Sequence, residues 1–158
     1  MFGVIFDTNI YGRIFEDKES GTELIERIKT NPKFMIHNFK LIRNELRGAP
    51  KILPLYDGLV SRRVIEESGE IRGLAMNYFE RYKLFGGNKG KTKMMNDLKI
   101  IACATLLNCD LVFSDDVKSM LSLVAVKAYR DVNLLIGMRT PTFYTYKDLK
   151  RRFSAGLQ

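Results

Sequence analysis

The sequence predicts an α/β domain built on a mainly parallel sheet, with a pair of helices inserted into it. Three observations lead there. Short apolar runs rich in β-formers, above all Phe2 to Phe6 and Asp110 to Ser114, read as strands buried on both faces. Between such runs the apolar residues recur at helical spacing, so strands and helices alternate as they do in βαβ units. From Pro50 to Thr92 that alternation lapses, and two helical patterns follow one another without a strand signal.

Each element has its own signals. Phe2 to Phe6 ends abruptly in Asp7-Thr8-Asn9. A strand that drops a carboxylate at its C-terminal end sets that charge at the rim of the sheet, where open parallel sheets bind ligands. Asp7 and Asn9 are equally good helix caps, and a short helix is expected over Ile10 to Phe15. The charged turn Glu16 to Gly21 breaks it. Ser20-Gly21-Thr22-Glu23 has the spacing of a capping box, and Leu24, Ile25 and Ile28 give the next helix one apolar face. Asn31-Pro32 stops that helix, and Lys33 to His37 reads as the second strand. A third helix runs from Asn38 to Gly48, with Glu45 near its buried face.

Pro50 and Pro54 mark a joint, after which Leu55 to Glu67 and Glu70 to Phe85 are the inserted helices, split by Gly69. Gly86 to Thr92 is a loop, and Asn96-Asp97 opens a helix from Leu98 to Leu107. Asp110 to Ser114 stops at Asp115-Asp116. A long helix then carries Val117, Met120, Leu121, Val124, Ala128, Val132 and Leu135 on one face as far as Gly137. Thr142 to Tyr144 supplies an edge strand and Tyr146 to Phe153 a last helix.

Composition narrows the partners. With 46% hydrophobic residues, the 158-residue chain is one ordinary domain, residues 1–158, with a real core. A formal net charge of +8 points to a polyanionic partner, nucleic acid before membrane. Cys103 and Cys109 lack metal or redox spacing and fit buried, reduced thiols in a cytoplasm. No leader pattern precedes Phe2, and no apolar run nears the ~18 residues of a membrane span. A cytoplasmic protein without a membrane partner is expected.

Four acidic positions then stand out: Asp7 and Asp115-Asp116 at strand ends, Asp97 at a helix start, and Glu45 on the helix after the second strand. Right-handed connections bring strand ends and helix starts to one edge of the sheet. At ~5 Å and an effective dielectric of ~20, each pair of like charges there costs about 3 kcal/mol. Such a cluster persists only when something positive neutralises it, and oxygen ligands without His or Cys point to Mg²⁺ or Mn²⁺. In a basic chain, a metal held by carboxylates fits phosphodiester hydrolysis. The plainer reading, that each acid caps a helix or faces solvent, has to account for all of them together.

These residues carry a family resemblance. Val4-Ile5-Phe6-Asp7-Thr8-Asn9 resembles the opening motif of PIN domains, and Asn44-Glu45-Leu46 their central Glu-Leu. Asn96-Asp97-Leu98-Lys99-Ile100-Ile101-Ala102-Cys103-Ala104 is similar to their Asp-x-x-Ile-x-x-x-Ala helix. Leu111-Val112-Phe113-Ser114-Asp115-Asp116 resembles their last motif, with Ser for Thr. The motifs keep the family's order from Phe2 to about Asp116, and Arg139 to Phe153 fits its C-terminal strand and helix. The resemblance implies a three-layer α/β/α domain and a Mg²⁺- or Mn²⁺-dependent endoribonuclease, as in VapC-type toxins. By position it makes Asp7, Glu45, Asp97 and Asp116 the catalytic, metal-holding quartet, with Asp115 as the alternate last acid. Thr8, Asn9 and Ser114 become the supporting shell. It also implies RNA as substrate, an antitoxin partner and a homodimer. The insertion over about residues 50–92 is longer than in compact toxins. The competing reading is a non-catalytic RNA-binding or scaffold protein on the same fold, and the intact quartet weighs against it.

Other patterns were set against simpler readings. Gly90-Lys91-Thr92 ends as a P-loop does, but Phe85 stands where its first glycine belongs and a helix, not a strand, precedes it. Haloacid dehalogenase-like phosphatases need a second Asp two residues after the first, where this chain has Asn9. His37, the only histidine, fits a hydrogen-bonded strand residue better than a catalyst. Arg81, Lys83, Lys89, Lys91, Lys93 and Lys99, interleaved with Tyr82 and Phe85, form a candidate groove for single-stranded RNA. The alternative for that stretch is a solvated helix face.

Overall fold

A computed structural model describes residues 1–153, so residues 154–158 of the expected single domain lie outside the described part. Five strands form one wholly parallel sheet in the order β3-β2-β1-β4-β5. They are β1 (Phe2–Phe6), β2 (Phe34–Phe39), β3 (Val60–Ile65), β4 (Leu111–Phe113) and β5 (Thr142–Tyr144). The helices are α1 (Thr8–Glu16), α2 (Gly21–Thr30), α3 (Lys40–Leu46), α4 (Leu53–Leu59), α5 (Gly69–Leu84), α6 (Lys91–Leu106), α7 (Leu123–Leu135) and α8 (Tyr146–Arg152). No helix among the described residues is long and apolar enough to cross a membrane.

Alternation along the strands sorts the helices into two layers. On β5, Phe143 packs on Tyr129 of α7, which in turn packs on Tyr78 of α5. The next residue, Tyr144, turns the other way, toward Phe113. Phe113 belongs to an aromatic cluster with Phe6 and Phe34, closed by Tyr11 of α1 and by Phe153 just past α8. The sheet therefore lies between α5, α6 and α7 on one side and a layer containing α1 and α8 on the other. A buried polar network, Tyr78 Oη with Thr105 Oγ1 (2.9 Å) and Asn133 Oδ1 (2.6 Å), ties α5, α6 and α7 together. That network fixes α6 relative to the sheet.

The chain runs outward from β1 to β2 and β3, then crosses to β4 on the other side of β1. This reversal opens a crevice beyond the C-terminal ends of β1 and β4, the place where doubly wound sheets take ligands. The two strands separate at Asp7, whose N–H still donates to Phe113 O at 2.8 Å.

The structure corrects the expected elements in four places. The helix expected over Leu55 to Glu67 is α4 followed by the edge strand β3, so the inserted segment is helix, strand, helix. Tyr56, Val60 and Val64 recur at a helical interval, and exposure of Arg62, Arg63 and Val64 erases the alternation that marks a strand. Helix α6 begins at Lys91, so Asp97 lies inside it and does not open it. Helix α7 begins at Leu123, where Ser122 Oγ accepts from Ala125 N; Val117 and Met120 lie in the preceding turns. Ser20 makes no capping bond through its side chain, whereas Thr145 and Asp148 form a capping box at α8.

Candidate active site

The crevice gathers the acidic residues from four separate elements. Asp7, 6% exposed, is the N-cap of α1 and both its oxygens are engaged. Oδ1 accepts from Thr8 N at 2.8 Å, and Oδ2 from Ser114 Oγ at 2.7 Å and Asn9 Nδ2 at 3.1 Å. The capping reading of Asp7 therefore holds, and it leaves Asp7 in the crevice. Ser114, fully buried at the end of β4, also accepts from Asp116 N at 3.0 Å, so one hydroxyl couples two carboxylate positions. Asn9 works on both sides as well, since its Oδ1 accepts from Asp115 N at 3.1 Å. Glu45 is exposed, farther from the core than the apolar face of its helix implied, and accepts from Thr8 Oγ1 at 2.7 Å.

Asp116 and Asp97 meet around Ser119, a residue the sequence reading did not single out. Ser119 N donates to Asp116 Oδ1 at 3.0 Å, its hydroxyl donates to Asp116 Oδ2, and Asp97 Oδ2 lies 3.4 Å from that hydroxyl. The signal was available: a Ser three residues after an Asp is the spacing at which a carboxylate accepts a local backbone N–H.

The electrostatics follow from burial and crowding. Burial, and after it the charges of Asp7 and Asp116, push the Asp97 carboxyl up to about 8. Burial also lifts Asp7, to about 6, with Glu45 and Asp116 adding and the Ser114 and Thr8 bonds opposing. Asp116 moves the other way. Burial alone would raise it, but the bonds from Ser119 and Asp97 hold it below the usual carboxylate range. Crowding therefore pulls the two acids apart, Asp97 upward and Asp116 downward. Among the described residues none of Asp7, Glu45, Asp97 and Asp116 forms an ion pair with a Lys or Arg. Nor do any three His, Cys or acidic side chains there converge closely enough to hold an ion as they stand.

Asp115 is used differently. Its Oδ2 pairs with Arg13 at 2.6 Å and its Oδ1 accepts from Tyr146 N at 2.8 Å, at the start of α8. The two neighbouring aspartates thus face different partners.

The basic residues also divide. Lys99 pairs with Glu67 at 3.0 Å, and Arg81 pairs with Asp131 of α7 beside the Phe85 ring. Lys91 and Lys93 are exposed on the first turn of α6. Lys89 lies near enough to lower the Asp116 carboxyl. Its position is set by Tyr82, whose Oη accepts from Lys89 N at 3.1 Å. Gly87 makes that approach possible, because a Cβ there would enter the Tyr82 ring. His37 is half-buried on β2, where burial lowers its pKa, and it makes no contact with the acidic crevice. Cys103 and Cys109 are buried free thiols.

No protein-family model matches the chain, and no curated protein matches it in sequence. Among solved structures, the fold is similar to the crystal structure of VapBC2 from Rickettsia felis bound to a DNA fragment from their promoter. That match has a TM-score of 0.56 at 17% identity and covers 73% of this chain and 89% of the other. The likeness is one of fold, and on it and the parallel five-stranded sheet the chain has a PIN-like α/β/α architecture.

Proposed function

We propose that this chain is an endoribonuclease that cuts single-stranded RNA with the help of Mg²⁺ or Mn²⁺. One observation carries the reading. A chain with a net charge of +8 leaves four carboxylates from four elements unpaired at its topological switch point, two of them pushed up to about 6 and about 8. Acids are kept in that condition when a cation of another kind is to neutralise them.

Asp7, Glu45, Asp97 and Asp116 would hold the ion. Their donor chemistry fits a hard divalent cation, being all oxygen with no His or Cys among them. When bound, such an ion polarises a phosphate oxygen and lowers the pKa of a water. The protein supplies order around it. Thr8 N, Asn9 and Ser114 fix the Asp7 carboxylate, the Thr8 hydroxyl steadies Glu45, and Ser119 steadies Asp116. These bonds set the direction of each carboxylate in advance, and the side chains would still have to close on the ion. Lys89 adds positive charge beside Asp116 for the anionic backbone, and Lys91 and Lys93 extend it.

The likeness in fold to VapBC2 supports a setting as the toxin half of a toxin–antitoxin pair, with an antitoxin as protein partner; a homodimer is the assembly we propose with it. The test is incubation of the purified protein with a mixed RNA pool, with Mn²⁺ or with EDTA. Cutting that requires the ion and leaves 5′-phosphate ends is expected, and Asp7→Asn should abolish it while RNA binding persists. Cleavage that survives EDTA, or cyclic-phosphate ends, overturns the metal mechanism. Binding without any cleavage returns the chain to a non-catalytic RNA-binding role.

A further inference from the structure

Beside the acidic crevice lies an open groove of about 560 Å³ between α3, the β3–α5 turn and the second turn of α6. Its size falls within the ~300–1,000 Å³ of small-molecule sites. It touches the crevice twice, because Asn44 and Asn96 line it and each directly precedes a member of the acidic set, Glu45 and Asp97. Both amides are exposed, and neither side chain has a hydrogen-bond partner among the described residues. Leu41, packed against the core, gives the groove an apolar portion.

The remaining lining decides what enters. Glu45, Glu66 and Glu67 outnumber Lys40, which already pairs with Glu66 at 3.0 Å, while Lys99 is taken by Glu67. A phosphate would be repelled here. A nucleobase would not, because an apolar contact, two free amides and nearby carboxylates match the face and polar edge of a base. Amide and carboxylate oxygens both accept from exocyclic amino groups, which adenine, cytosine and guanine have and uracil lacks; uracil offers only a ring N–H flanked by two carbonyl oxygens that the carboxylates repel.

We infer that this groove is a base-recognition subsite: it takes the nucleobase next to the scissile phosphate and selects bases that carry an amino group. The inference rests on the ribonuclease reading for the position of the phosphate, and on the groove itself for the base.

Two experiments separate the readings. In the first, the Asp7→Asn protein is titrated with oligo(C) and oligo(U) of equal length, since the two bases have the same size and differ in the amino group and ring acceptor of cytosine against the carbonyl and ring N–H of uracil. Preference for oligo(C) of about tenfold is expected from one good polar pairing. The further substitutions Asn44→Ala and Asn96→Ala should reduce it to within about twofold on the same scale. Both positions are exposed on helices where Ala is a better helix former, and a melting curve checks that the fold is kept. In the second, cleavage ends from a random RNA pool are sequenced for the parent and the Asn44→Ala/Asn96→Ala protein. A bias against uracil at one flanking position, lost in the variant, supports the subsite. Equal affinity of oligo(C) and oligo(U), or a preference untouched by the double substitution, overturns it. If cleavage fails while the oligo(C) preference holds and depends on the two amides, the nuclease reading falls and the base site stands.

Discussion

Two neighbouring sets of acids are treated in opposite ways. Asp17 and Asp115 are clasped between α1 and α8. Lys150 pairs with Asp17 at 2.9 Å, the Tyr146 hydroxyl donates to it at 2.7 Å, and Arg13 pairs with Asp115 while stacking over the Tyr146 ring. Lys150 and Tyr146 together hold the Asp17 carboxyl down at about 2. In the crevice, Asp97 is pushed up to about 8 by burial and by its acidic neighbours. Of the two sets, only the first receives ion pairs from the chain's cations. Acids that fasten helices receive partners within the fold. On the proposed function, those left without one await a cation from solution.

The sharpest break of that comparison runs between adjacent residues. Asp116→Asn should lower RNA cutting at least about a hundredfold, the scale seen when an electrostatic contributor is removed from an active site. Asp115→Asn should retain cutting within about tenfold and lose stability instead. Because Arg13 is 55% exposed, that loss should be about 1 kcal/mol or less. Single-turnover cleavage and melting curves on both proteins rank the two effects. The reverse ranking would move the site one residue toward the clasp.

That ranking also marks how far the sequence could be read. Strand ends at Asp7 and Asp115-Asp116, with alternating helices between, were legible because buried parallel strands are continuous apolar runs. The edge strand β3 was not, since Arg62, Arg63 and Val64 face solvent and carry no buried face to advertise. Helix α6 was entered too late because its first turn, Lys91-Thr92-Lys93, is polar and follows a Gly90 cap without a side-chain bond. Consequently Asp97 gains nothing from a helix N-terminal dipole, whereas its repulsion by Asp7 and Asp116 stands. Asp115 and Asp116 could not be told apart in the sequence, because Arg13 and Tyr146, which claim Asp115, are distant in the chain.

The next effect is on stability against pH. Asp7 and Asp97 have folded-state values of about 6 and about 8, above the ~3.9 of an unfolded Asp. Between those values the native state binds more protons than the unfolded one, so stability falls as pH rises from about 4 to 8. Each unit of difference is worth ~1.4 kcal/mol, and the lowered Asp116 titrates below this range and leaves the slope unchanged. In EDTA, the protein should therefore be less stable at pH 8.5 than at pH 5 by on the order of 5 kcal/mol in these two groups. Asp97→Asn should flatten that dependence. Added Mn²⁺ should stabilise the parent by about 2.7 kcal/mol at a hundred times its dissociation constant, and the variant much less. Melting curves across pH, with chelator and with Mn²⁺, check both; equal metal shifts in the two proteins would put Asp97 outside the cation site.

A smaller effect concerns the cations nearest the crevice. If Lys89, Lys91 and Lys93 contact the backbone, log affinity for a single strand should fall with log salt by about 0.7 per phosphate neutralised. Replacing all three with Gln should flatten the slope by up to about two units, and replacing Lys99, already paired with Glu67, should change it little. An unchanged slope in the triple variant would leave the loop as a solvated connector.

The smallest effect is expected inside the clasp, and its smallness is the point of the comparison. Asp17→Asn keeps the shape and can still accept from the Tyr146 hydroxyl, so it removes mainly the charge that faces Lys150. Lys150 is 40% exposed, which puts the loss at about 0.5–1 kcal/mol near neutral pH. The sign with pH is opposite to that of Asp97. A carboxyl held near 2 contributes stability above the unfolded value of ~3.9 and loses it as pH falls toward 2. Between pH 5 and 8.5 the difference between Asp17→Asn and the parent should therefore be flat, where that of Asp97→Asn is steep. Mn²⁺ should shift the melting temperature of Asp17→Asn as much as it shifts the parent, because a partner within the fold already neutralises that acid. A Mn²⁺ response weakened by Asp17→Asn would join the clasp to the cation site and undo the division between the two sets of acids.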